Sequence, residues 1–188
     1  MERRRSATLV AAGALLLTLA MSGAAAAAPG AKGGASLAEI RQATARFQDP
    51  AAAIAAGYLP VSPCETRPGA GGMGAHYLNP ALAQDLSSDP LAPELLLYAP
   101  AGDGLRLVGV EYFSVALAIT ESGPVPWFGA NPPPLGFFNP APSVLGRTFD
   151  GPMPGHGAQM PWHYDLHVWI WQGNPAGIFE AWNPTVHC

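Results

Sequence analysis

His163-Tyr164-Asp165-Leu166-His167-Val168-Trp169-Ile170-Trp171 is a run in which ligand-type and apolar side chains alternate. A period of two, in residues rich in aromatic and branched side chains, predicts a β-strand. On that strand His163, Asp165, His167, Trp169 and Trp171 share one face, and Tyr164, Leu166, Val168 and Ile170 share the other. The second set is wholly apolar and suits a core. The first places three metal-ligand or acid–base groups beside two indoles, so the function is sought there. The surrounding segment, residues 151–188, holds four of the five histidines and four of the five tryptophans.

Working outward, a second strand with a charge on it runs from Leu105 to Leu117. It is preceded by Leu95–Tyr98 and the turn Pro100-Ala101-Gly102-Asp103-Gly104, which together predict a β-hairpin. Strict alternation puts Glu111 on the face of Leu105, Leu107, Gly109, Phe113 and Val115. A carboxylate there is costly unless it is paired or holds a metal, and Arg106 and Arg147 are the available structural partners. Tyr58–Val61 predicts a short strand, and residues 81–93 an irregular connection. Seven prolines between Pro124 and Pro142 exclude a central strand and predict a long surface loop.

The N-terminal part is helical. Ser36 and Glu39 form a capping box ahead of a helix over Leu37–Gln48, and Asp49-Pro50 caps a second short helix over Ala51–Ala56, stopped by Gly57. The expected fold is α+β and β-dominant: short N-terminal helices on an antiparallel sheet or small barrel, with one disulfide. Cys64 and Cys188 are the only cysteines, and their pairing is expected in an exported chain.

Export is read from the first residues. Arg3, Arg4 and Arg5 precede the apolar run Leu9–Ala20 and a small-residue stretch, so residues 1–28 are expected to be a signal peptide. Residues 29–35 are a flexible spacer, and residues 36–188 one globular domain of a secreted or cell-envelope protein, with no membrane span in the mature chain. Removing residues 1–28 takes out three arginines and Glu2, leaving 6 basic and 12 acidic residues. With Lys32 the single lysine, the chain has no basic stripe for a phosphate backbone, and nucleic acid is excluded as a partner.

The candidate metal ligands are His76, Glu111, His163 and His167. Residues i and i+4 of a straight strand stand about 13 Å apart and i and i+2 about 6.6 Å. His163 and His167 therefore share an ion only if the strand is bent, and donors from neighbouring strands are the easier solution. Asp165 is a candidate for holding an imidazole by accepting its other N–H. Met73, Met153 and Met160 each stand three residues before a histidine (His76, His156 and His163). A turn between them would join thioether to imidazole, a copper-like set. Copper or zinc is thus the expected cofactor, with His156 and the methionines as alternative ligands. No nucleophile elbow, P-loop or dinucleotide fingerprint is present. The rival functions are a non-catalytic extracellular binding module using Trp162, Trp169 and Trp171, and a structural envelope protein.

The strings GGMGAHYLNP (71–80), LRLVGVEYF (105–113), FDGPM (149–153), HYDLHVWIW (163–171) and NPAGIFEAWNP (174–184) and the final Cys188 carry a resemblance. From about Ala43 onward the chain resembles a family of small exported bacterial proteins of uncharacterised function. The resemblance implies export and brings no catalytic residues with it.

Overall fold

The computed structural model describes residues 34–157 and 159–188. It is β-dominant, built on one antiparallel sheet, with short helices and a Cys64–Cys188 disulfide whose Cα atoms stand 5.5 Å apart. The sheet is open, not a closed barrel.

Helix α1 spans Leu37–Thr44 and continues as a 3₁₀ turn over Ala45–Gln48, so the α-helix ends one turn earlier than the sequence predicts. The capping box is formed, with Ser36 Oγ accepting from Glu39 N and Glu39 Oε2 accepting from Ser36 N. Helix α2 spans Pro50–Ala55 and is capped by Asp49. Helices this short are unstable alone. They hold because Ile40, Phe47 and Ala53 are buried, each large apolar side chain contributing about 1.5–3 kcal/mol.

The strands in chain order are β1 Leu59–Pro60, β2 Glu65–Arg67, β3 Gly71–Leu78, β4 Leu95–Ala101, β5 Gly104–Val115, β6 Leu117–Ala118, β7 Val125–Pro126, β8 Ser143–Val144, β9 Arg147–Thr148, β10 Asp150–Met153 and β11 His163–Val168. A single helical turn, α3, covers Pro80–Ala83 within the segment expected to be irregular. The main sheet runs β1-β3-β4-β5-β11-β10, with β2 also pairing β3. The remaining strands form two small ladders, β6–β7 and β8–β9, at the two ends of the proline-rich stretch. The β4–β5 hairpin pairs as far as Ala101 and Gly104, leaving a turn of Gly102 and Asp103 that is tighter than the sequence predicts.

One irregularity resets the faces. Leu97 pairs Gly109 and Tyr98 pairs Leu107, so Val108 is an extra residue, a β-bulge. Strict alternation had grouped Glu111 with Leu105 and Leu107. The bulge instead turns Leu107 to the face of Val110 and Tyr112, in the main core, while Val108 joins Leu97, Ala99, Trp169 and Val186 on the opposite side. Helices α1 and α2, the 3₁₀ turn between them and loop residues such as Val144, Phe149 and Trp162 cover the first face. The second carries two small apolar clusters, Leu97/Ala99/Val108/Trp169/Val186 and Ala83/Leu95/Phe113. Glu111 shares this face with His163, Asp165 and His167.

The candidate metal centre

Strand register brings the ligands together. His167 on β11 is the direct partner of Glu111 on β5, whose other partner is Leu95 on β4. His76 on β3 pairs Leu97, and its ring crosses β4 to meet Glu111. Nε2 of His76 stands 3.3 Å from Glu111 Oε2, and Nε2 of His167 stands 3.6 Å from the same oxygen. One ligand atom from each residue falls within a 4.8 Å group. Two ligands about 2.05 Å from an ion at the tetrahedral angle stand about 3.4 Å apart, so these spacings fit a shared ion.

Gly109 helps to wall the site. A Cβ there would lie 2.9 Å from the Val168 carbonyl oxygen and 3.3 Å from Leu97 Cδ1. Its absence lets Leu97 and the Trp169 ring close over the strand beside Glu111.

Polar bookkeeping favours an ion. All three residues are buried, and Glu111 Oε2 and His167 Nε2 have no hydrogen-bond partner. Orphaned buried atoms of this kind are rare and costly. The expected arginine partners are elsewhere: Arg106 donates to Gln172, and Arg147 stacks over Phe179. Among the described residues the ion-pair contacts of Glu111 are to the two histidines alone.

The tautomer of His76 follows from its neighbour. Ser62 Oγ lies 3.1 Å from the Pro63 carbonyl oxygen, which can only accept, and 2.7 Å from His76 Nδ1; both contacts are hydrogen bonds at once when the hydroxyl donates to the carbonyl and accepts from Nδ1–H. Nε2 is then the free lone pair, aimed at Glu111. Sequence spacing gave no sign of Ser62, which acts across 14 residues through the packing of the Val61–Ser62 segment beside β3.

Burial, helped by His167, holds His76 down to about 3. Burial likewise keeps His167 below the ordinary imidazole value. Burial, reinforced by Asp165, pushes Glu111 well above the carboxylate range. Without an ion, burial thus opposes a charge on each of the three groups. A divalent ion would supply the positive charge that holds Glu111 in its ionised form.

The other expected residues lie apart from this group. Strand β11 pairs β5 in unbroken register from His163 to Val168, so it lacks the bend that would let His163 and His167 share one ion. His163 is fully buried beside Asp165, with Nε2 to Oδ2 at 3.7 Å. Met73 lies on β3, where a turn to His76 was expected and a strand is found. Met153 pairs His163 across β10 and β11, and Met160 lines a cleft with the exposed His156.

The tryptophans do not form the expected shared face. Strand β11 ends at Val168, because Trp169 N donates to Ile178 O and leaves the ladder. Trp162 and Trp169 are buried, their indole N–H groups donating to Gly129 O and Glu180 O. Trp171 is half-buried, donating to Thr44 Oγ1 under the Arg41 guanidinium. A ligand groove of exposed, coplanar indoles is absent among the described residues.

Comparison with protein-family models, with curated proteins and with solved structures gave no match. The functional reading therefore rests on this geometry. The expected signal peptide lies outside the described residues, and among the described residues no helix is long and apolar enough to cross a membrane.

Proposed function

We propose that the chain is an exported metal-binding protein that holds a copper- or zinc-like ion through His76 Nε2, Glu111 Oε2 and His167 Nε2. The observation that carries this reading is the convergence of three buried ligand atoms within 4.8 Å, two of them without any hydrogen-bond partner. Two imidazoles and one carboxylate are a borderline donor set that suits zinc or copper better than calcium or magnesium. Ser62 supports the assignment by fixing the tautomer that frees Nε2 of His76. The disulfide supports an oxidising compartment.

Three protein ligands leave one tetrahedral position for water or a small ligand, the pattern of ion sites that act on bound molecules. An ion there would supply Lewis acidity to whatever fills that position. The chain's own contribution is to fix the ligand directions from three strands and to keep bulk water away.

Metal content of the secreted, disulfide-intact protein, measured by elemental mass spectrometry beside His167→Ala, tests the reading. At least one equivalent of zinc or copper, reduced by one in the variant, is expected. A metal-free protein that also fails to take up either ion on titration would overturn it.

A further inference from the structure

The far end of the same sheet face holds a second set of ligand atoms that the His76–Glu111–His167 group does not use. His163 is completely buried, and Phe113 stacks on its ring at 5.1 Å and 25°. Its Nδ1 lies 3.1 Å from the Pro161 carbonyl oxygen. A carbonyl can only accept, so Nδ1 carries the proton, and in the neutral ring Nε2 is the lone pair. That Nε2 has no hydrogen-bond partner. What it faces is Asp165 Oδ2, another acceptor, at 3.7 Å.

With the ring neutral, two acceptors face one another in a dry interior and repel unless something positive lies between them. At 3.7 Å the gap is longer than the about 2.7–3.2 Å of a well-formed hydrogen bond. It is right for two ligands of one ion: bonds of about 2.05 Å to each subtend an angle somewhat wider than tetrahedral.

A third donor stands beside them. The His156 ring meets the His163 ring edge-on, with centroids 5.4 Å apart. His156 is exposed, on the loop after β10, and lines a cleft of about 290 Å³ with Phe128, Pro154, Met160 and Trp162. An exposed imidazole thus lies against the ring of the buried pair.

We propose that His163 Nε2 and Asp165 Oδ2, closed on the cleft side by His156, form a second cation site for a divalent ion of the zinc class. It is distinct from the first because His163 and His167 are four residues apart on a straight strand, about 13 Å along the backbone. Ions reach it from the cleft past His156, whose ring turns inward to complete the set.

The test is Zn²⁺ titration of the metal-stripped, disulfide-intact protein, with stoichiometry read by native mass spectrometry. Wild type is expected to take two equivalents, and His76→Ala, His163→Ala and Asp165→Asn one each. His156→Ala alters an exposed side chain and leaves the buried face intact. It is expected to weaken one of the two binding steps at least tenfold and leave the other unchanged. Loss of the single equivalent in His76→Ala, with none lost in His163→Ala, Asp165→Asn or His156→Ala, would overturn the second site and leave the first standing. One equivalent that survives His76→Ala and vanishes in Asp165→Asn would support the second site and remove the first. Wild type that binds no zinc would overturn both.

Discussion

His167 lies directly opposite Glu111 in the β5–β11 ladder, and the two side chains leave the same face to bring Nε2 within 3.6 Å of Oε2. Both residues sit on adjoining interior strands of the sheet, so their relation is set by backbone hydrogen bonds and not by a loop. A site so rigid should bind an ion without rearrangement. Zinc at a free concentration of 100 times its Kd should stabilise the fold by about 2.7 kcal/mol. For a domain of this size that raises Tm by about 5–10 °C. Scanning calorimetry with and without zinc checks it, and Glu111→Gln and His167→Ala should each remove the share of the rise that this site supplies.

The metal-free protein should have a stability maximum between about pH 4.5 and 6.5, the ordinary values of the groups concerned. Burial pushes Glu94 up to about 8, and burial with Asp165 raises Glu111 well above the carboxylate range. Raised carboxyl values mean that the folded state holds protons the unfolded chain has released, so stability falls as pH rises above about 4.5. His76, held down to about 3, acts in the other direction: its contribution is full above 6.5 and is lost as pH falls toward 3. Urea midpoints across this range measure the profile. Glu94→Gln should flatten the alkaline side, because glutamine can still accept from Phe113 N–H, the bond that Glu94 makes at 3.1 Å.

Ser62→Ala should weaken zinc binding by about 10–100-fold, the usual effect of removing a group that orients a ligating histidine. The fold itself should lose only about 1 kcal/mol. Competition with a chromogenic chelator reads the affinity and a urea midpoint reads the stability. Ser62→Thr, which keeps the hydroxyl, should restore most of the binding.

Gly109→Ala should cost about 1–3 kcal/mol, because the added methyl meets the Val168 carbonyl oxygen at 2.9 Å and β5 must move from β11. That movement also separates Glu111 from His167. A lowered urea midpoint accompanied by weaker zinc binding is expected; a stable variant with unchanged binding would show that the face tolerates the group.

Much of this was legible in the residues. The alternation of Tyr164, Leu166 and Val168 with His163, Asp165 and His167 is a local property of a strand, and local periodicity survives folding. Glu111 could be named as a donor because an ionisable group in an apolar strand needs a partner, and His76 because it is the one histidine outside residues 151–188. The Val108 bulge was not legible, since an extra residue leaves no mark in an alternating apolar sequence and yet moves Leu107 to the other face. The stop at Val168 was equally hidden, because it depends on Trp169 finding the distant Ile178 carbonyl. Nor could spacing separate His163 from the three ligands that converge. That division follows from the straightness of β11.

The three ligands come from β3, β5 and β11, at positions 76, 111 and 167, and β11 lies between β5 and β10 in the sheet. No pair is close enough along the chain for an unfolded segment to chelate an ion by itself. The chelate exists only after the last central strand has docked, a slow and non-local event. Occupancy of this site is therefore a signature of completed assembly: a chain halted before β11 docks would leave it empty, and an ion found there would be one encountered after maturation.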